Sequence, residues 1–256
     1  MKPPFGLAIT PGSAATIAAR VLRPRSPAQG LGLVVTPNVD HVVRLWRDPA
    51  FAGAYRRAAV MLCDGAPLRA YARARGHRLR RVTGCDLTVA VLRGVSGQRL
   101  FFVVDGPATE AAVRTWAEAR GLGPQVATAV PPFGFARDQA AAAALAARIA
   151  AHRPDILVMG VGSPQSEVFA DAWAAALPPC WVLCVGQGVK VALGLVRRAP
   201  PVMQAAQAEF LWRLGQEPRR LAGRYSRGAV LFLLAVLADL AGRFRFAAEL
   251  PAAELP

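Results

Sequence analysis

Lysine is nearly missing from this chain of 256 residues. Lys2 and Lys190 stand alone, although Lys+Arg totals 31 against 16 Asp+Glu and the formal net charge is +15. The basic character is therefore arginine. A GC-rich coding bias produces that excess together with excess alanine. The same residues also suit bidentate contact with phosphate or carboxylate and attraction to anionic lipid or nucleic acid. Position along the chain has to separate the two readings.

Histidine is scarce too (His41, His77 and His152), and the four cysteines, Cys63, Cys85, Cys180 and Cys184, form no C-x-x-C. A zinc site or a disulfide framework is thereby disfavoured, and reduced thiols in a cytosolic protein are expected, with Cys180 and Cys184 as core packing. The first 22 residues lack the continuous apolar stretch of a signal peptide. The apolar block AVLFLLAVLA at 229–238 has ten residues, or roughly 15 Å of helix, against a hydrocarbon core of about 30 Å. It is a buried core helix or a segment lying in a membrane interface, and Arg227, Arg243 and Arg245 on its flanks favour the interface. G-x-G-x-x-G and Walker A patterns are absent, which removes support for a dinucleotide oxidoreductase or a P-loop nucleotidase. D-x-D is absent as well, so any bound diphosphate must be neutralised by arginines and helix starts, without a metal.

What is present alternates regularly. Apolar runs at 31–35, 58–63, 99–105, 124–130, 155–160 and 180–186 read as buried strands. Helical patterns lie between them at 39–46, 67–75, 85–95, 108–120, 137–152 and 165–176. This predicts an α/β fold, a Rossmann-like, mostly parallel sheet with helices on both faces, over residues 1–196. From Arg197 the chain turns helical and arginine-rich, with nine arginines against three acids between Arg197 and Arg245. Residues 197–256 are expected to form a basic helical appendage.

In parallel sheets ligands bind at the carboxyl edge, and the polar residues follow the strand candidates there. Thr36 and Asn38 follow the first and Asp64-Gly65 the second. An Asp before Gly is commonly a turn or helix-capping residue. A partly buried carboxylate beside a substrate hydroxyl is also a general base. GVGSPQSE at 160–167 reads as a strand-to-helix turn with Ser163 as N-cap and Pro164 at the first helical position, suited to an anionic group. DGPATE at 105–110 has the same form. Arg220, Arg224 and Arg227 fall on one helix face, either a solvated basic face or a surface for anionic lipid. His77 and His152 read as surface or capping residues, and His41 stands close enough to Asn38 to reach the cleft.

With these residues, the chain resembles the WecB/TagA/CpsF glycosyltransferases, glycosyltransferase family 26. The resemblance runs through Phe5-Gly6, Thr36-x-Asn38, CDGAP around Asp64, RVTGCDL at 81–87, PPFGF at 131–135, GVGSPQSE, and the stretch from Arg197 to Tyr225. It implies metal-independent, inverting transfer of a hexosyl or N-acetylhexosaminyl group from a nucleotide-diphosphate sugar, UDP-linked, to a polyprenyl-diphosphate-linked saccharide in surface polysaccharide synthesis. No cofactor is implied. The resemblance makes Asp64 the base and places Thr36, Asn38 and Arg81 in the site. It makes the tail, with Arg213, Arg220, Arg224 and Arg227, a membrane-docking element that also closes over the donor diphosphate. The enzyme would then be cytoplasmic, peripheral on the inner face of the plasma membrane, with homo-oligomerisation left open. Two departures stand out. Gln165 and Ser166 occupy positions where the family reads Lys and Gln, and both are expected at the substrate, with the polar contact to the sugar shifted by one residue onto Gln165. Lys190 stands where many members carry an acid, which points to a different donor sugar, a glucosyl donor among them. The rival readings are a non-catalytic basic protein binding membrane or nucleic acid, and a degenerate member that binds donor without transferring it.

Overall fold

A computed structural model describes residues 2–200, 202–203, 209–216 and 218–247. Six strands, β1 (Gly32–Val35), β2 (Val60–Met61), β3 (Leu100–Val103), β4 (Val126–Ala129), β5 (Ile156–Met159) and β6 (Trp181–Cys184), form one sheet in the order β2-β1-β6-β5-β3-β4. Every pairing is parallel, as the apolar strand sequences predict. Because the side-chain period is two, each strand feeds both faces. Leu33 and Val35 belong to one core and Val34 to the other, and Phe101 and Val103 lie opposite Leu100 and Phe102.

The helices divide accordingly. α2 (Val39–Leu45), α3 (Pro49–Arg56), α4 (Ala66–Ala74), α7 (Gln139–His152) and α8 (Gln165–Ala172) cover one face. α1 (Ala14–Val21), α5 (Gly84–Gly94), α6 (Pro107–Glu118) and α9 (Gly188–Ala192) cover the other. Several starts carry side-chain caps. Asn38 Oδ1 accepts from the His41 amide, Asp48 Oδ1 from Phe51, Asp138 Oδ1 from Ala140 and Ala141, and Thr83 with Asp86 forms a capping box on α5. α1, α3 and α9 were not anticipated from periodicity, although Ser13 and the Asp48-Pro49 pair are start signals for the first two.

One local expectation is corrected. α8 begins at Gln165, and Pro164 holds the cap position in a helical conformation (φ −89, ψ −1) without a side-chain cap bond. Ser163 does not cap the helix. Its side chain lies close enough to the buried Glu167 carboxyl to oppose the upward push of burial on that group.

Two helices of the C-terminal segment follow, α10 (Glu209–Gln216) and α11 (Pro218–Leu240). The apolar block inside α11 serves two environments. Ala235 is fully buried, and Phe232, Val236 and Ala238 pack on the same core as the sheet. Val230, Leu233, Leu234, Leu237 and Leu240, at spacings of three and four, form an exposed stripe. The inner side is anchored on the N-terminal turn, where Phe5 lies 5.6 Å from the Phe232 ring and 5.0 Å from the rings of Tyr71 and Phe244. Asp239 Oδ2 accepts from Tyr71 Oη at 2.7 Å and from Arg75 Nη1 at 3.1 Å. The chain beyond α11 returns to α2 through Ala247 N donating to Leu45 O. No helix among the described residues is long and apolar enough to cross a membrane.

Candidate active site

Parallel strands end at one edge, and β6, last in the chain, lies between β1 and β5. The chain leaves β1 and β5 toward α2 and α8 on one face but leaves β6 toward α9 on the other, so the direction of the connections switches on both sides of β6, the kind of place where parallel sheets bind ligands. Asp64, three residues beyond β2, is held beside the β1 loop: its amide donates to Pro37 O at 3.0 Å, and an added Cβ on Gly65 would lie 3.5 Å from Asn38 Cα. Thr36 is buried, and its hydroxyl donates to Cys184 O at 3.4 Å, joining the ends of β1 and β6. Cys63 and Arg81 form a parallel bridge, so Arg81 emerges next to Asp64. The structure thus brings together Thr36, Asn38, Asp64 and Arg81.

The Asp64 carboxylate is not simply presented to solvent. Oδ2 accepts from the Gly84 amide at 3.1 Å, in the first turn of α5, where aligned peptide dipoles favour an anion. That turn is wedged in place by backbone contact. A Cβ on Gly188 would come within 3.0 Å of the Gly84 carbonyl and of Thr88 Oγ1, so only glycine lets α9 approach α5 this closely. The capping and site readings of Asp64 are therefore compatible, with one oxygen committed to the helix start.

Charged groups surround the same turn. Arg81 Nη2 pairs with Glu209 Oε1 at 3.0 Å, Arg198 Nη2 with Asp86 Oδ1 at 2.7 Å, and Arg198 Nη2 lies 3.9 Å from Glu209 Oε1. Burial works against ionisation of Asp86, but hydrogen bonds from Thr83 and Arg198 prevail and hold its carboxyl below the ordinary range. On α9, which packs against α5, Lys190 Nζ meets Asp105 Oδ2 at 2.6 Å and bridges to the loop after β3. The lysine that breaks the family pattern is thus paired with a nearby acid.

The GVGSPQSE segment faces inward more than its polarity suggests. Gln165 Oε1 accepts from Gly134 N at 3.0 Å, which ties α8 to the PPFGF loop and leaves Phe133 fully exposed at its tip. Ser166 is buried, with its hydroxyl donating to Gly162 O at 3.1 Å. Neither side chain is joined to the Asp64 cluster by these bonds. Glu167 is buried, and burial pushes its carboxyl up to about 7. His41, expected near the cleft, is also buried, with Nδ1 2.6 Å from Tyr55 Oη. Arg227 is exposed on α11, whereas the side chains of Arg213, Arg220 and Arg224 lie outside the described ones. Among the described residues no three His, Cys, Asp or Glu side chains gather as a metal site.

Sequence reading missed the Gly84 amide, Arg198 and Glu209. A capping box marked the helix start that carries Gly84, and RR at 197–198 marked Arg198. No local pattern relates Glu209 to Arg81, because their contact depends on the path of the whole C-terminal segment.

Residues 3–245 match the family model described as "Glycosyl transferase WecG/TagA/CpsF family". A relative from Bacillus spizizenii (strain ATCC 23059 / NRRL B-14472 / W23), named N-acetylglucosaminyldiphosphoundecaprenol N-acetyl-beta-D-mannosaminyltransferase, is 26% identical over 190 residues. That alignment covers 73% of this chain and 72% of the relative.

Proposed function

The chain belongs to the WecG/TagA/CpsF glycosyl transferase family, and on that premise we propose that it moves a hexosyl or N-acetylhexosaminyl group from a nucleotide-diphosphate sugar to a polyprenyl-diphosphate-linked saccharide in surface polysaccharide synthesis. The name of the Bacillus spizizenii relative supports a lipid-diphosphate acceptor. The observation that carries the mechanism is the placing of Asp64 between the β1 loop and the first turn of α5, next to Arg81.

In this reading Asp64 takes the proton from the acceptor hydroxyl while its oxygen attacks the anomeric carbon. The new C–O bond forms on the face opposite the departing oxygen, so a single displacement inverts the anomeric configuration. The bond to the nucleotide diphosphate breaks, and the leaving group carries away the electron pair. Its negative charge is met by cationic side chains, Arg81 among them, in place of a metal. Thr36 and Asn38 shape the wall between the two sugars. The ion-paired Lys190 and Asp105 are the pair we expect to act on donor choice.

The exposed apolar stripe of α11, flanked by exposed Arg227, Arg243 and Arg245, supports peripheral attachment to an anionic bilayer, which for a lipid-linked acceptor would be the inner face of the plasma membrane. The test is transfer from a panel of UDP-sugars to undecaprenyl-diphosphate-linked N-acetylglucosamine, with the product anomer read by NMR and the reaction repeated in excess chelator. An inverted product insensitive to chelator is expected. Retention of configuration, or loss of activity on chelation, would refute the mechanism.

A further inference from the structure

Three buried polar atoms around the first turn of α5, Arg81 Nε, Arg198 Nε and Glu209 Oε1, have no hydrogen-bond partner among the described residues. The Glu209 carboxylate nevertheless sits in ion-pair contact with Arg81 Nη2 at 3.0 Å and 3.9 Å from Arg198 Nη2. Glu209 therefore neutralises Arg81 and lies at the edge of Arg198, whose own partner is Asp86, and neither guanidinium makes with it the parallel, two-bond fit of a well-matched oxyanion. Two donors stay unused in a place where an unused donor is costly.

The second carboxylate of the cluster is different. Asp86 Oδ2 accepts from the Thr83 amide at 3.0 Å and from the Thr83 hydroxyl at 2.9 Å, so it is fixed as part of the helix cap. Glu209 has no such tie to α5 and arrives from the separate helix α10. The four groups sum to zero charge. With Glu209 withdrawn the cluster is cationic, one residue in sequence from the Cys63–Asp64 strand end through the Cys63–Arg81 bridge.

We propose that Arg81 and Arg198 form a diphosphate-binding cradle that Glu209 occupies in the unliganded protein, so that the donor's diphosphate must expel Glu209 to bind. The proposal rests on the transferase reading for the identity of the anion. A diphosphate offers several oxygens in place of two and can reach the Nε donors as well as the terminal nitrogens. Its arrival also frees α10 from the mouth of the site, which couples donor binding to the position of the C-terminal helices. Apparent affinity is reduced by the fraction of molecules that hold the plug in place, so a plug closed in about nine-tenths of them costs about tenfold.

The experiment uses the full chain with Glu209→Gln and Glu209→Ala, titrated calorimetrically with UDP and separately with inorganic pyrophosphate. Both variants should bind UDP about tenfold more tightly than wild type. Hydrogen exchange across 209–216 should rise on adding UDP to wild type and be already high, and indifferent to UDP, in the variants. Variants that bind UDP no more tightly than wild type overturn the plug while leaving the transferase reading intact. Tighter pyrophosphate binding by the variants with no UDP binding by any form upholds the cradle and sinks the nucleotide assignment. No binding of either anion by any form sinks both.

Discussion

Asp64 and Gly84 meet through a single hydrogen bond, 3.1 Å from amide to Oδ2, which fastens the strand end after β2 to the first turn of α5. The bond fixes the carboxylate's orientation. It also sets an anion against the positive end of a helix, where the charged form is favoured.

Asp64→Asn retains an oxygen that can accept from Gly84, so the turn should persist. Transfer should fall by about a hundredfold or more, the usual scale for loss of a general base. UDP affinity, measured by calorimetry, should stay within about threefold of wild type. Near-normal turnover would remove Asp64 from the base role.

Leu233 and Leu237 are 59% and 54% exposed on the outer stripe of α11. Replacing both with Gln removes apolar surface that would enter a lipid interface, while the buried Ala235 side is untouched. Cosedimentation with vesicles rich in phosphatidylglycerol should weaken about tenfold or more, with little change in melting temperature. Unaltered cosedimentation would argue that another surface meets the bilayer.

Asp239 accepts from both Tyr71 and Arg75 and is nearly buried, at 6% side-chain exposure. Asp239→Ala leaves a phenol and a partly buried guanidinium without their shared acceptor. A lower urea midpoint than wild type is expected, because the phenol loses its acceptor, with faster hydrogen exchange in the second half of α11. Stability equal to wild type would show that Phe232, Ala235 and Phe244 hold the helix without this joint.

Glu167 carries a pH signature. Burial raises its carboxyl to about 7, opposed by its own amide, by Ser163 and by Arg44 on α2, while Tyr55 on α3 and Cys184 on β6 feel its charge. In the unfolded chain the proton leaves near the ordinary value of about 4.3. The folded state then holds a proton that the unfolded state has lost, so this contribution is full below about 4.3, declines as pH rises and is gone above about 7. The unfolding free energy of wild type minus that of Glu167→Gln should drop by on the order of 3 kcal/mol across that window. A flat difference would mean that the carboxyl titrates alike in both states.

Strand and helix identity could be read from residues close in the chain. Each strand run is apolar on both faces, as burial between helix layers demands, and six of the helices, α2 and α4 to α8, carry their own period, so six strands and an α/β class followed without any distant contact. Thr36, Asn38 and Asp64 were legible for the same reason, since a residue just past a parallel strand must stand at the carboxyl edge. Gln165 and Ser166 were not. Whether a polar side chain there faces the site or a neighbouring carbonyl depends on the PPFGF loop and the turn at Gly162.

What the amino-acid sequence determined by itself was therefore the kind of each element and the edge on which its chemistry lies, because backbone period and burial preference act over a few residues. Tertiary structure alone decided that β6 enters between β1 and β5, that the Gly84 amide grips Asp64, that one apolar helix divides its stripe between core and surface, and that Glu209 sits on Arg81. Those outcomes depend on strand crossovers and on long-range charge pairing, in which the partners are brought together by the folded chain and carry no mark of one another in their own surroundings.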